Sequence, residues 1–231
     1  MNSDEAKKNA CLLALDYIRP GMKLGLGTGS TANIFIELLG QRVSHALDVV
    51  CVPTSVASHD LARDLGIALT TLEECPQLDL TVDGADEFDN DLILIKGGGG
   101  ALLREKIVAT ASKAMVVIAD DSKHVTVLGK FPLPIEVVPF GEVSTVIAIT
   151  RAAEKLGMKG RIELRKSDPG TPFITDNGNH IYDCHFDALK TPKQLALALN
   201  AIAGVVEHGL FIDIATAVVI GDHKGAHVLE R

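Results

Sequence analysis

The sequence predicts an α/β protein: a Rossmann-like parallel sheet with helices on both faces, joined to a smaller ferredoxin-like α+β domain. Two observations carry this. Up to about residue 130, short runs that are apolar throughout alternate with segments of helical period, the pattern of parallel strands covered on both faces. After Lys130-Phe131-Pro132 the rhythm becomes β-α-β-β-α-β, the order of a split ferredoxin-like unit. The predicted division is therefore residues 1–130 with 210–231 as the Rossmann-like catalytic domain, and 131–209 as the ferredoxin-like domain.

In chain order, Ala6, Ala10, Leu13 and Tyr17 recur at helical spacing until Pro20-Gly21 stops them. Lys23–Leu26 reads as a strand running into the glycine-rich turn GTGSTA, which opens a helix over Thr31–Leu39. Leu47–Val52 is a buried strand, and Pro53-Thr54-Ser55 opens a helix ending near Gly66. Leu78–Val82 and Leu92–Ile95 are strands running into polar or glycine loops; Ala101–Ala111 is helical and Ala114–Ala119 a strand. In the second domain Leu133–Val138 and Arg161–Arg165 are strands flanking a helix over Glu142–Leu156. Residues 173–175 and 180–182 form a hairpin about Asp176-Asn177-Gly178-Asn179, where Asn-Gly is the turn signal. A helix over Thr191–Ile202 starts with Pro192 in its first turn, a strand follows Gly204–Val206, and Ala215–Ile220 returns to the first sheet.

Composition narrows function. The chain has 231 residues, 47% of them hydrophobic, which supplies enough apolar surface for packed cores and excludes a disordered chain. The net charge is −8 with no Lys/Arg cluster, so nothing is built to displace counterions from nucleic acid. Trp is absent and aromatics are 4%, leaving no evident base-stacking platform. Cys11, Cys51, Cys75 and Cys184 are widely spaced and form no CxxC pair, which fits buried reduced thiols. No stretch of about 18 residues lacks a charge, and Asp16 interrupts the first apolar segment, so the expectation is a cytoplasmic protein without a membrane span.

Four segments carry candidate chemistry. Gly27-Thr28-Gly29-Ser30-Thr31-Ala32 joins a strand to a helix, where exposed N–H groups can bind an anion. It is read equally as a tight turn, and a dinucleotide fingerprint would need an acidic residue where the second strand instead ends in Cys51-Val52-Pro53. Asp83-Gly84-Ala85-Asp86-Glu87 places three carboxylates at a strand end; they can move hydroxyl protons, ligate a metal or solvate a loop. HExxH and EF-hand patterns are absent, and His223 and His227 are read as an exposed tail.

Lys96-Gly97-Gly98-Gly99-Gly100 precedes a helix, and four glycines in a row are entropically costly unless their N–H groups are needed. Such a nest can stabilise an oxyanion with Lys96 adding charge, and Glu105 one turn into the helix can share the pocket or simply pair with a lysine on the surface. Ala119-Asp120-Asp121-Ser122-Lys123 offers Lys123 as a point charge for phosphate. Together these supply a phosphate cradle, paired carboxylates, an oxyanion nest and a base: the inventory for proton transfer beside the carbonyl of a small phosphorylated sugar.

GLGTGSTA (25–32), VDGADE (82–87), KGGGGALLREK (96–106), ADDSKHV (119–125), LGKFPLPIEV (128–137) and TDNGN (175–179) resemble the segments of the A-type ribose-5-phosphate isomerases, in the family's order and over nearly the whole chain. The resemblance implies interconversion of D-ribose 5-phosphate and D-ribulose 5-phosphate in the non-oxidative pentose phosphate pathway. Glu105 would take the proton from C2 and return it to C1 of a cis-enediolate. Asp83 and Asp86 would handle hydroxyl protons, and Lys96 with the N–H groups of Gly97, Gly98 and Gly99 would stabilise the enediolate oxygen. Thr28, Gly29, Ser30, Thr31, Gly84, Ala85 and Lys123 would hold substrate, with Lys7 a looser candidate near the phosphate. It further implies no metal or organic cofactor, and a homodimer or homotetramer. A helix start favours ionised Glu105 while an apolar pocket raises its pKa, and a base working near neutrality needs the two balanced. The rivals are another sugar-phosphate isomerase, a deaminase or a CoA transferase on the same scaffold, a sugar-phosphate-sensing module, and NAD binding at GTGSTA. Thr216, where an acidic residue or asparagine is expected, departs from the family pattern near the C-terminus.

Overall fold

The computed structural model describes residues 3–230. In chain order the elements are α1 (Ser3–Ala14), β1 (Met22–Leu26), α2 (Ser30–Ser44), β2 (Val49–Pro53), α3 (Val56–Asp64), β3 (Ala68–Leu69), β4 (Leu80–Gly84), β5 (Glu87–Phe88) and β6 (Leu94–Ile95). Then come α4 (Leu102–Thr110), β7 (Met115–Asp120), β8 (Leu133–Val137), α5 (Glu142–Lys155), β9 (Arg161–Leu164), β10 (Lys166–Asp168) and β11 (Thr171–Pro172). The chain continues through β12 (His180–His185), α6 (Pro192–Asn200), β13 (Val205–His208), β14 (Leu210–Phe211), β15 (Ala217–Asp222) and β16 (Gly225–Glu230). It divides into two compact units. One runs to Ala85, resumes over Arg104–His124 and again from Asp213; the other comprises Asp86–Leu103 and Val125–Ile212.

The first unit is built on a seven-stranded sheet of order β16-β15-β7-β4-β1-β2-β3. Every pairing is parallel except β15–β16. All six residues of β7 are buried, as expected of a strand covered on both faces. Its core joins Leu24, Leu26, Phe35, Ile36, Leu39, Val82, Val116 and Val219 with Ala10, Cys11 and Ala14 of α1. The chain steps outward from β1 to β2 and β3, then returns to β4 on the other side of β1. That reversal makes the carboxyl ends of β1 and β4 a topological switch point, where open α/β sheets bind ligands.

The second unit holds the antiparallel sheet β13-β8-β12-β9, with α5 and α6 in the β-α-β-β-α-β order the sequence predicts. Ile135, Val137, Ile149, Ala153, Cys184, Leu195 and Leu199 form its core.

Three expectations need correction. Leu92–Ile95 is not a strand of the parallel sheet: only Leu94–Ile95 is extended, in a three-stranded antiparallel sheet β14-β6-β5. Residues 173–175 contribute an isolated bridge, Ile174 to His180, rather than a hairpin strand, although the Asn177-Gly178 turn forms with Gly178 at φ 79°. His223 and His227 are exposed as expected, but not in a tail: residues 222–225 turn and β16 adds an antiparallel edge to the sheet.

Candidate active site

Within the first unit, three of the four candidate segments leave adjacent parallel strands at their carboxyl ends: the turn after β1, the acidic loop after β4, and the Asp120–Lys123 turn after β7. Gly29 sits at φ 112° before α2 and, having no side chain, cannot cap the first-turn N–H groups of that helix. Lys7 of α1 lies against this helix start, its Nζ 3.2 Å from Ser30 Oγ and 3.9 Å from Asp4 Oδ1. Behind the turn is a hydroxyl cluster, in which Thr28 Oγ1 lies 2.8 Å from Thr54 Oγ1, 2.8 Å from Ser55 Oγ and 3.1 Å from Ser58 Oγ. Ser58 Oγ donates to the Gly27 carbonyl at 2.6 Å.

Asp83 is fully buried, and its Oδ1 accepts from the Thr28 N–H at 3.1 Å and the Gly84 N–H at 2.7 Å. A β-carbon on Gly27 would overlap this carboxylate, so the glycine is what lets the two loops close together. Glu105 lies in the first turn of α4 with 2% of its surface exposed. Lys123 ends a short 3₁₀ turn whose start is capped by Asp120, which accepts from the N–H of Ser122 at 3.1 Å and from its hydroxyl.

Within the second unit, the glycine loop follows β6 of the small antiparallel sheet, not a parallel strand as the sequence suggested. Lys96 is buried, its N–H bonded to the Gly209 carbonyl at 2.8 Å and its Nζ 5.5 Å from the centre of the Phe211 ring. Asp86 Oδ2 accepts from the Gly98 N–H at 2.7 Å, tying acidic loop to glycine loop. The third acidic residue, Glu87, is structural: buried, it accepts from Gly129 N–H at 2.7 Å and Phe131 N–H at 2.6 Å, one on each oxygen. The TDNGN turn is held likewise, with buried Glu136 accepting from Thr175 Oγ1 and Asn179 Nδ2, both at 2.9 Å.

The Thr54/Ser55/Ser58 cluster, Arg165 and Asp183 carry no motif that marks them in the sequence. Arg165 Nη1 reaches the Gly97 carbonyl at 2.8 Å. Among the described residues no group of three or more His, Cys, Asp or Glu side chains is placed to hold a metal ion. None of the described helices is long and apolar enough to cross a membrane.

Residues 50–225 match the family model for ribose 5-phosphate isomerase A (phosphoriboisomerase A). The chain belongs to the ribose-5-phosphate isomerase A family. Relatives bearing that name include those of Parvibaculum lavamentivorans, 54% identical over the full length of both chains, and Brucella suis, 55% identical over 99% of both. Among solved structures of the family, a D-ribose-5-phosphate isomerase in complex with phospho-erythronic acid superposes with a TM-score of 0.91 at 41% identity, covering all of both chains. The ribose 5-phosphate isomerase of Plasmodium falciparum superposes at 0.92 with 38% identity over 99% of both.

Proposed function

We propose that this chain interconverts D-ribose 5-phosphate and D-ribulose 5-phosphate through a cis-enediolate, with Glu105 as the general base. The observation that carries the reading is a buried glutamate in the first turn of the helix that follows KGGGG, in a chain that belongs throughout its length to the ribose-5-phosphate isomerase A family. Proton transfer needs a carboxylate with little access to water and an electrophilic partner for the oxygen that gains charge. Glu105 removes the C2 proton of the open-chain aldose and delivers it to C1. Lys96 and glycine-loop N–H groups stabilise the enediolate oxygen. Because Gly98 N–H is engaged by Asp86, the donors for that oxygen are those of Gly97 and Gly99. Asp83 and Asp86, each oriented by backbone N–H groups, shuttle hydroxyl protons and assist ring opening.

The phosphate sits at the start of α2, where uncapped N–H groups, the hydroxyls of Ser30 and Thr31, and Lys7 supply donors and positive charge, with Lys123 of the turn after β7 as a further cation for substrate. Phospho-erythronic acid, the compound bound in the structurally similar D-ribose-5-phosphate isomerase, should therefore compete with substrate for this site.

Conversion of ribose 5-phosphate in the presence of EDTA, for wild type and Glu105→Gln, tests the reading. Robust wild-type turnover should fall about a thousandfold or more in the variant, with phospho-erythronic acid still bound. A folded wild type without turnover overturns the function; turnover surviving in the variant overturns the mechanism.

A further inference from the structure

We propose that Arg165, locked by Asp183, is a positioning residue that sets the direction of the glycine-loop donors and of the Asp86 carboxylate; this role rests on the isomerase reading above. Arg165 lies between β9 and β10 with 14% of its side chain exposed, and Asp183 on β12 with 19%. Its Nε donates to Asp183 Oδ2 at 2.9 Å and its Nη2 to Asp183 Oδ1 at 2.5 Å, a bidentate fork that fixes the guanidinium plane. The remaining nitrogen, Nη1, then points at two successive carbonyls of the glycine loop, Gly97 O at 2.8 Å and Gly98 O at 3.2 Å.

The main chain fixes Arg165 as well. Its N–H donates to the Ile181 carbonyl at 2.8 Å, and its carbonyl accepts from Phe173 N–H at 2.9 Å. The Phe173 ring stands 6.0 Å from the guanidinium and fills the space a side chain on Gly100 would need.

Peptide geometry converts these contacts into donor placement. In a trans peptide the carbonyl and the following N–H point in opposite directions. Holding the Gly97 carbonyl therefore aims the Gly98 N–H, which grips Asp86 Oδ2 at 2.7 Å. Holding the Gly98 carbonyl aims the Gly99 N–H. Within the loop, Gly100 N–H already donates to the Gly97 carbonyl at 3.0 Å; Arg165 clamps the same carbonyl from outside and reaches the Gly98 carbonyl as well, which narrows the orientations that four consecutive glycines can sample. Lysine cannot replace it, because a single ammonium has no rigid fork with which to meet a carboxylate and two carbonyls in fixed directions.

The test compares wild type with Arg165→Met, Arg165→Lys and Asp183→Asn. The measurements are kcat, KM, inhibition by phospho-erythronic acid, inhibition by inorganic phosphate, and the circular dichroism melting curve. Arg165→Met should lower kcat about a hundredfold and weaken phospho-erythronic acid by a similar factor, leaving inhibition by phosphate within about twofold. Arg165→Lys and Asp183→Asn should show the same split with smaller losses. If Arg165→Met does not fold, the other two variants decide by the same criteria. A folded variant with kcat within about threefold of wild type overturns the proposal. So does a kcat loss matched by equal weakening of inorganic phosphate, which marks general disorder instead of donor misalignment. Absence of turnover in the wild type is a separate result that removes the isomerase reading, and this role with it.

Discussion

Of the residues in the proposed site, Lys7 carries the least signal in the sequence. It stands in an ordinary helical segment, yet α1 delivers its ammonium to the start of α2, 3.2 Å from Ser30 Oγ. A charge-assisted contact to phosphate is worth about 1.5–3 kcal/mol, so Lys7→Ala should raise KM for ribose 5-phosphate roughly 10–100-fold and leave kcat within a few-fold. Steady-state kinetics at low and moderate salt check this, and an unchanged KM would remove Lys7 from the phosphate site. The neighbouring carboxylates show the opposite case, in which the motif is plain and the roles are not. Asp83, Asp86 and Glu87 look equivalent in the sequence, but both oxygens of Glu87 cap backbone N–H groups of residues 129–131. Glu87→Gln turns an amide toward one of those donors and should destabilise the fold by about 2–3 kcal/mol, read as a lower urea midpoint. What the sequence made legible was the location of the loops, because glycine and acidic runs are conspicuous. What it could not show was which donors Glu87 meets, because they lie 42 and 44 residues away.

At the scale of elements, the long apolar runs declared themselves and the short ones did not. β4, β7 and β15 are almost wholly buried and β1 is buried over its last three residues; all four are readable as parallel strands. β5, β6 and β14 have two residues each, too few for any period, and the apolar Leu92–Ile95 run therefore passed for a strand of the main sheet. β16 escaped because His227 and the charged residues around it match the polarity of an edge strand and of a loose end equally well. The packing of α1 on β15 was also out of reach, although one residue makes it possible. A β-carbon on Gly221 would overlap the Ala6 carbonyl and stand 2.8 Å from the Ala10 N–H, so the helix rests on bare backbone. Gly221→Ala should push α1 outward, lowering stability by about 1–3 kcal/mol as overpacking does. Since Lys7 rides on the same helix, the variant should also raise KM more than it lowers kcat. A variant with wild-type melting and kinetics would show that α1 adjusts without loss.

For the whole molecule, the four cysteines report on both apolar cores at once. All are free thiols and all are buried; Cys11 and Cys51 belong to the core of the parallel sheet and Cys184 to that of the antiparallel sheet. Burial pushes the Cys11 and Cys51 thiols up to about 12 from the ordinary 9.0, and raises Cys184 as well, because a thiolate cannot be solvated there. A raised folded pKa gives stability that is complete below the unfolded value and is lost as pH climbs toward the folded one. Between about pH 9 and 12 the unfolded chain ionises these thiols while the native chain does not. Each should then remove about 1.4 kcal/mol of stability per pH unit. The expected result is a steep alkaline fall in the urea midpoint, flattened in part by Cys51→Ala even though that variant starts lower for its lost packing. Native protein at pH 8 should leave a thiol reagent nearly uncoloured, and all four groups should titrate in denaturant. Rapid modification of the native chain, or an alkaline slope unaltered by Cys51→Ala, would show that the cores do not hold these thiols closed.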